Sequence, residues 1–294
     1  MNPTLQVSDE HVAHFRDKGW LRLESITTPG ETERLRAIID RLFEARAGWE
    51  QGRAFDLVGA EDEGKAALLP QILKPAEFAP ELADTLFRAN AFALARRLLG
   101  DEAVFWFEHA IFKPARIGAP TPWHQDKAHH YDPGVDYDQV SVWMPLQPAT
   151  IENGCMSYIS GSHLGPVLEH RSLGGDSKKP ALECIGEFDP AAAEPCQLPP
   201  GGAAIHHCRT LHGAGPNTTG EPRRAYVLAF RGPIRTVPGM KIFPWMEGKR
   251  IPASDRADAW KNRGGIVGKA SRGVANFARR VARRLRRIAR PQAP

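Results

Sequence analysis

With 294 residues, 42% hydrophobic and 25% charged, the chain is long enough to bury a sizeable core and fits one catalytic domain with decoration. Its net charge of +5 is misleading, because residues 269–294 hold nine of the 39 Lys and Arg and none of the 34 Asp and Glu, which leaves −4 for residues 1–268. The basic character belongs to a tail rather than to a folded face that could read nucleic acid, so no specific nucleic-acid partner is expected. No stretch approaches the roughly 18 apolar residues of a membrane-spanning helix, the four cysteines form no CxxC pair, and MNPTLQVSDEHV has no basic-then-apolar leader. These features lead us to expect a protein of the reducing cytoplasm with free thiols.

In chain order, Ser8 can cap a short helix through Phe15, Gly19 breaks it, and WLRLESI alternates like a strand. Thr28 and Glu31 form a capping-box pattern with Pro29 at the first helical position, and Leu35, Ile38, Ile39, Leu42 and Phe43 follow at amphipathic spacing. A second helix is expected over 82–98, ended by Gly100, with Gly48 to Pro75 as loop between the two. From Ala103 to Arg231 the texture changes to short β segments separated by Pro, Gly and Asn: VFWFEHAIFK, QVSVWMPL, GCMSYIS, AAIHHC and RRAYVLAF. Such spacing predicts a mainly β fold with flanking helices, a sandwich or barrel of the jelly-roll kind. Asn153-Gly154 reads as a type I′ hairpin turn. There is no GxGxxG after a strand and no P-loop, which argues against dinucleotide or nucleotide-hydrolysis chemistry. The expected organisation is a catalytic domain over 1–240, a wrapping or linker segment over 241–268 and a basic tail over 269–294.

In TPWHQDKAHHYD, His124 and Asp126 lie two apart, a spacing that on a strand projects both side chains from one face. A second imidazole, His212, stands between AAIHHC and RRAYVLAF. Two imidazoles and one carboxylate with the opposite positions open is the arrangement of an oxygen-activating Fe(II) site. An HxD pair alone is weak evidence in a chain with eleven histidines, since such a pair is commonly an ordinary hydrogen-bonded one. Arg223, eleven residues after His212 on the next strand, could hold a dicarboxylate bidentately, whereas Arg224 suits a surface role. His206 and His207 fall on opposite faces of their strand, so at most one can see the cavity, and a buried, hydrogen-bonded role suits both.

The ordered pieces FRDKGWLRLE, WHQD, VSVWMPL, NGCMSYISGSH and HGAGPNTTGEPRR, spread over residues 8–235, resemble the phytanoyl-CoA dioxygenase family of Fe(II)/2-oxoglutarate oxygenases. The resemblance implies a double-stranded β-helix (a cupin-like jelly roll) with Fe(II) on His124, Asp126 and His212. It also implies 2-oxoglutarate and O2 as co-substrates, Arg223 on the 5-carboxylate, and Gln125 and Trp143 lining the co-substrate pocket. Independently, Val140, Val142, Met144 and Leu146 share one face of their strand, which leaves Ser141 and Trp143 on the other, facing either pocket or core. Lys113 at a strand end is a further candidate for a carboxylate, with a solvated position as the alternative. Asp126 keeps the acidic ligand position filled, which favours hydroxylation or a related oxidation over halogenation.

Substrate contacts are expected from His129, His130 and Tyr131, with 164–180 as a lid, and the substrate is expected to be a small molecule or a lipid or acyl compound. A non-oxygenase cupin-like metalloenzyme and a catalytically silent binding protein share the same fold. In the tail, Val274, Phe277, Ala278, Val281, Leu285 and Ile288 recur at helical spacing among arginines. That is the pattern of a basic amphipathic helix, which can lie on an anionic membrane surface, dock on the acidic remainder of the chain or stay solvated.

Overall fold

The structure, a computed structural model, describes residues 1–59 and 66–263; the expected amphipathic helix of the basic tail lies outside the described residues. In chain order the elements are α1 (Asp9–Lys18), β1 (Trp20–Leu23), α2 (Pro29–Glu44), β2 (Ala54–Asp56), β3 (Pro70–Leu73), α3 (Leu86–Leu99), β4 (Val104–Lys113), β5 (Thr121–His124), β6 (Val135–Asp136) and β7 (Gln139–Pro145). They continue with β8 (Met156–Ile159), β9 (His170–Ser172), β10 (Leu182–Cys184), β11 (Ala193–Cys196), β12 (Ala203–His207), β13 (His212–Ala214), β14 (Arg223–Arg231) and β15 (Arg235–Thr236). A last helix runs over residues 252–263.

Two antiparallel sheets carry the fold. The larger has the order β1-β12-β7-β14-β4-β3-β2 and the smaller β11-β8-β13-β5, the two halves of a jelly roll. One face of the larger sheet is covered by the helices. There Val140, Val142, Met144 and Leu146 pack with Leu228 and Phe230 of β14 and with Leu35, Ile39, Phe87 and Leu94. Each such fully buried aliphatic or aromatic side chain contributes about 1.5–3 kcal/mol. The other face meets the smaller sheet through Trp143, Ala225 and Val227 on one side and Met156, Tyr158 and Ala214 on the other. Period-2 alternation along β7 puts its side chains on two faces, as its sequence predicts, and the second face packs against the smaller sheet.

Local chemistry explains the helix ends. Ser8 caps α1 by accepting from the backbone N–H of His11, and Gly19 closes it at φ +79°. A Cβ at Gly19 would also lie 2.3 Å from the His163 ring, so the position requires glycine twice over. Thr28 caps α2 as expected, but Glu31 does not complete the box. Its carboxylate instead accepts from the backbone N–H groups of Leu86 and Phe87 and from the Thr27 hydroxyl, tying the start of α3 onto α2.

Three expectations are corrected. The second helix starts at Leu86 rather than 82, because Pro80–Leu82 forms a 3-10 turn and Thr85 supplies the cap. The expected loop from Gly48 to Pro75 contains β2 and β3, which extend the larger sheet through pairing with β4. Gly154 has φ +81°, but Asn153 does not share a positive φ, so the pair is not a type I′ turn. The Asn153 side chain bonds the backbone of Pro148 and Thr150 instead, at a crossing from one sheet to the other. Over residues 237–263 the chain lies against the core: Trp245 donates to the Ala128 carbonyl, and Arg256 lies 3.8 Å from the Trp49 ring centroid.

Candidate active site

The site is built from two rungs of facing sheet ladders. Across the smaller sheet Tyr158, His212 and His124 stand side by side in register. Across the larger sheet Trp20, His206 and Ser141 do the same. Asp126 reaches the gap between them from the first position of a 3-10 turn, Asp126–His129. Strand pairing stops at His124, so the expectation that both residues of the HxD pair sit on one strand is only half met. Gln125 keeps an extended conformation, φ −114° and ψ 130°, and the alternation survives for that one step.

The Nε2 atoms of His124 and His212 both lie 3.7 Å from Asp126 Oδ1, and one ligand atom from each residue falls within 4.8 Å of the others. The Nδ1–H of His124 donates to the Pro122 carbonyl and that of His212 to the Thr210 carbonyl, both at 2.8 Å. Those bonds fix the tautomer and leave both Nε2 lone pairs turned inward. Burial lowers the pKa of both imidazoles, that of His212 well below its usual value, which keeps them neutral. Burial by itself would raise Asp126, but the hydrogen bond from His206 and the surrounding imidazoles hold it well below the usual carboxylate range. Neutral imidazoles beside an ionised carboxylate are a metal-binding donor set in its binding-competent protonation state.

Arg223 opens β14 on the inward face and is 1% exposed, yet its Nε and Nη1 have no hydrogen-bond partner among the described residues. Its guanidinium carbon sits 5.3 Å from the Trp143 ring centroid, and the Trp143 indole N–H is likewise buried and unpartnered. Burial with no counter-charge pushes Arg223 down to about 9. Buried donors of this kind carry a desolvation cost that a hydrogen-bond acceptor would offset. Arg224, next in the chain, pairs with Asp40 of α2 instead.

Two co-substrate candidates are placed elsewhere. Lys113 stands opposite Arg223 in the ladder, but it is neither solvated nor turned to a carboxylate. It is fully buried, and its Nζ donates to the carbonyls of Ala119, Ala214 and Gly215, while burial and then Arg223 lower its pKa to about 6. Gln125 is turned to the backbone of neighbouring loops. Its amide donates to the carbonyls of Pro166 and Arg209 and accepts from the N–H of Leu168, bracing a wall segment.

A cavity of about 630 Å³ opens beside the triad, lined by His124, Asp126 and His129 and walled by Phe55, Trp106, Phe107, Tyr131 and Tyr137. The ring of His129 lies 6.2 Å from that of His124, and burial, then His124, drive its pKa to about 3. Tyr131 is half exposed at the cavity, while the His130 ring is committed to the carbonyls of Asp132 and Val135. The expected lid, 164–180, is instead partly a β9–β10 hairpin, with Pro180 and Ala181 in the wall. Ser141 and His206, not singled out as site residues from sequence, both bond Asp126 Oδ2, at 2.7 and 3.2 Å. His207 faces away, toward Asp138 at 3.3 Å.

A jelly roll that brings two histidines and an aspartate together, followed on the next strand by a buried arginine whose Nε and Nη1 have no partner among the described residues, has the features of the 2-oxoglutarate-dependent oxygenases. The family model described as phytanoyl-CoA dioxygenase (PhyH) matches residues 15–225, and the chain belongs to that family. A probable alpha-ketoglutarate-dependent hypophosphite dioxygenase of Stutzerimonas stutzeri is 27% identical over 75% of this chain and 77% of its own length. L-proline trans-4-hydroxylase of Streptomyces griseoviridis is 26% identical over 83% and 93%. Among solved structures, EvdO2 from Micromonospora carbonacea var. aurantiaca complexed with 2-oxoglutarate is 37% identical, with a TM-score of 0.70, over 84% of this chain and 99% of that one. The protein is an Fe(II)- and 2-oxoglutarate-dependent dioxygenase. The non-oxygenase and silent alternatives are set aside.

Proposed function

We propose that His124, Asp126 and His212 hold the iron, that Arg223 receives the 5-carboxylate of 2-oxoglutarate, and that the aromatic cavity takes a ring-bearing small molecule for hydroxylation. The observation that carries the reading is Arg223, buried on the strand that follows the triad's last histidine, with Nε and Nη1 unpartnered among the described residues. Bound Fe(II), 2-oxoglutarate and O2 supply the oxidising chemistry, with succinate and CO2 released. The chain's own contribution is placement and exclusion of water. The two neutral imidazoles present Nε2, Asp126 supplies the negative charge, and the Arg223 fork fixes the dicarboxylate against the face of Trp143. His129, held neutral, is placed to accept a hydrogen bond from a substrate donor near His124. A cavity of about 630 Å³ falls in the usual range for small-molecule sites, and aromatic walls favour flat or cyclic faces over a long flexible chain.

The test is succinate formation from 2-oxoglutarate by the full chain with Fe(II), run against matched panels of cyclic scaffolds and linear acyl thioesters. Cyclic compounds should stimulate turnover. Stimulation confined to linear acyl substrates would overturn the proposed substrate class.

A further inference from the structure

Asp126 is contacted from two sides, and the two sides differ. Oδ1 faces the Nε2 atoms of His124 and His212, whereas Oδ2 is turned away and bonded by Ser141 Oγ at 2.7 Å and His206 Nε2 at 3.2 Å. The His206 ring is itself oriented. Its Nδ1 lies 3.2 Å from the Tyr158 hydroxyl, and Tyr158 is fully buried and stacked on Trp20 with ring centroids 5.0 Å apart and planes 14° apart. A neutral imidazole has one N–H, and a carboxylate oxygen can only accept. Nε2 of His206 therefore donates to Asp126, with Nδ1 turned to the phenol. Trp20 in turn donates to Ser160 Oγ at 3.0 Å, so every member from the indole to the carboxylate has a set direction.

We infer that Ser141 and His206, the latter aligned by Tyr158, are positioning residues that hold Asp126 to a single oxygen toward the metal. Two donors on Oδ2 oppose rotation of the carboxylate into a geometry in which both oxygens bind the ion. Keeping one oxygen out leaves a coordination position for co-substrate, which a chelating dicarboxylate and O2 both require. The arrangement also makes the donor set ready before the ion arrives, and partners of this kind are worth roughly 10–100-fold in metal affinity. The inference rests on the reading of His124, Asp126 and His212 as the ligands.

The experiment is calorimetric titration of the metal-free full chain with Co(II), with the Co(II) absorption spectrum and the metal-free melting temperature recorded for each variant. Ser141→Ala and His206→Leu should each weaken Co(II) binding about tenfold or more and alter the spectrum, while the metal-free melting temperature of Ser141→Ala stays near that of the parent. Ser141→Thr, which keeps the hydroxyl, and His206→Gln, whose amide can replace Nε2–H, should restore affinity and spectrum. Where His206→Leu fails to fold, the Ser141 pair decides. Equal Co(II) affinity in Ser141→Ala and the parent, or equal losses in the alanine and threonine variants, overturns the inference. His124→Ala separates the two readings: if it retains parental Co(II) affinity, the ligand assignment fails. If it loses Co(II) while Ser141→Ala does not, only the positioning role fails.

Discussion

Arg223→Met removes the guanidinium but keeps an unbranched side chain of similar reach, so the cavity it leaves is small. The lost contact is a charge-assisted bidentate pair with the 2-oxoglutarate 5-carboxylate, worth on the order of 1.5–3 kcal/mol. At about 1.4 kcal/mol per decade this is roughly a 10- to 150-fold rise in Kd. The variant orphans little, because Nε and Nη1 have no partner to lose among the described residues. It also removes a buried charge that no carboxylate among the described residues pairs with. The ligand-free melting temperature should therefore hold or rise while affinity falls, the reverse of what a structural arginine gives. The assay is anaerobic titration of the Fe(II)-loaded chain with 2-oxoglutarate, with Arg224→Ala as control. Arg224 pairs with Asp40, so its loss should touch stability and leave Kd alone. An unchanged Kd in Arg223→Met, or the larger effect in Arg224→Ala, would refute the reasoning.

His124→Ala, Asp126→Ala and His212→Ala should each abolish iron-dependent succinate formation with far-UV circular dichroism unchanged, and full turnover in two of the three would sink the ligand assignment. Lys113→Met removes the donor shared by the carbonyls of Ala119, Ala214 and Gly215, with a buried unsatisfied group costing about 1–3 kcal/mol, so it should lower the melting temperature while shifting the 2-oxoglutarate Kd less than about threefold. A large Kd shift with normal melting would return Lys113 to the co-substrate. Asp138 is held well below the usual carboxylate range, first by its hydrogen bond from His207 and then, against desolvation, by Arg235. A depressed folded pKa contributes stability that is present above the unfolded value, about 4, and is lost as pH falls through the folded one. Asp138→Asn should then lower the melting temperature at pH 7, with the gap to the parent closing from about pH 4 downward; a gap that stays constant in acid contradicts the linkage.

The amino-acid sequence by itself determined whatever depends on neighbours along the chain. Alternation along Gln139–Pro145 assigned Val140, Val142 and Met144 to one core and Trp143 to the other, because side chains on a strand alternate faces whatever the strand pairs with. The same rule separated Arg223 from Arg224. Ser8, Thr28 and Gly100 marked helix ends because capping is satisfied within a few residues. His124 and Asp126 were legible together because their spacing survives even where the strand gives way to a 3-10 turn.

Tertiary structure decided what depends on which strands become neighbours. Ser141 and His206 are 65 positions apart and meet at Asp126 only because β7 pairs with β12 in a register that sets them opposite each other. Lys113 resembled a solvated strand end until the carbonyls of Ala119, Ala214 and Gly215 closed around it. Gln125, adjacent to two ligand candidates in sequence, turned to the backbone of Pro166, Leu168 and Arg209, since its side chain leaves the opposite face of the same extended step. β2 and β3 carried no clear alternation, being three and four residues long, and became strands because β4 offered them an edge. Sequence fixes which face of an element a side chain takes, by local sterics and hydrogen bonding; what that face meets is set by long-range strand pairing, which no local pattern encodes.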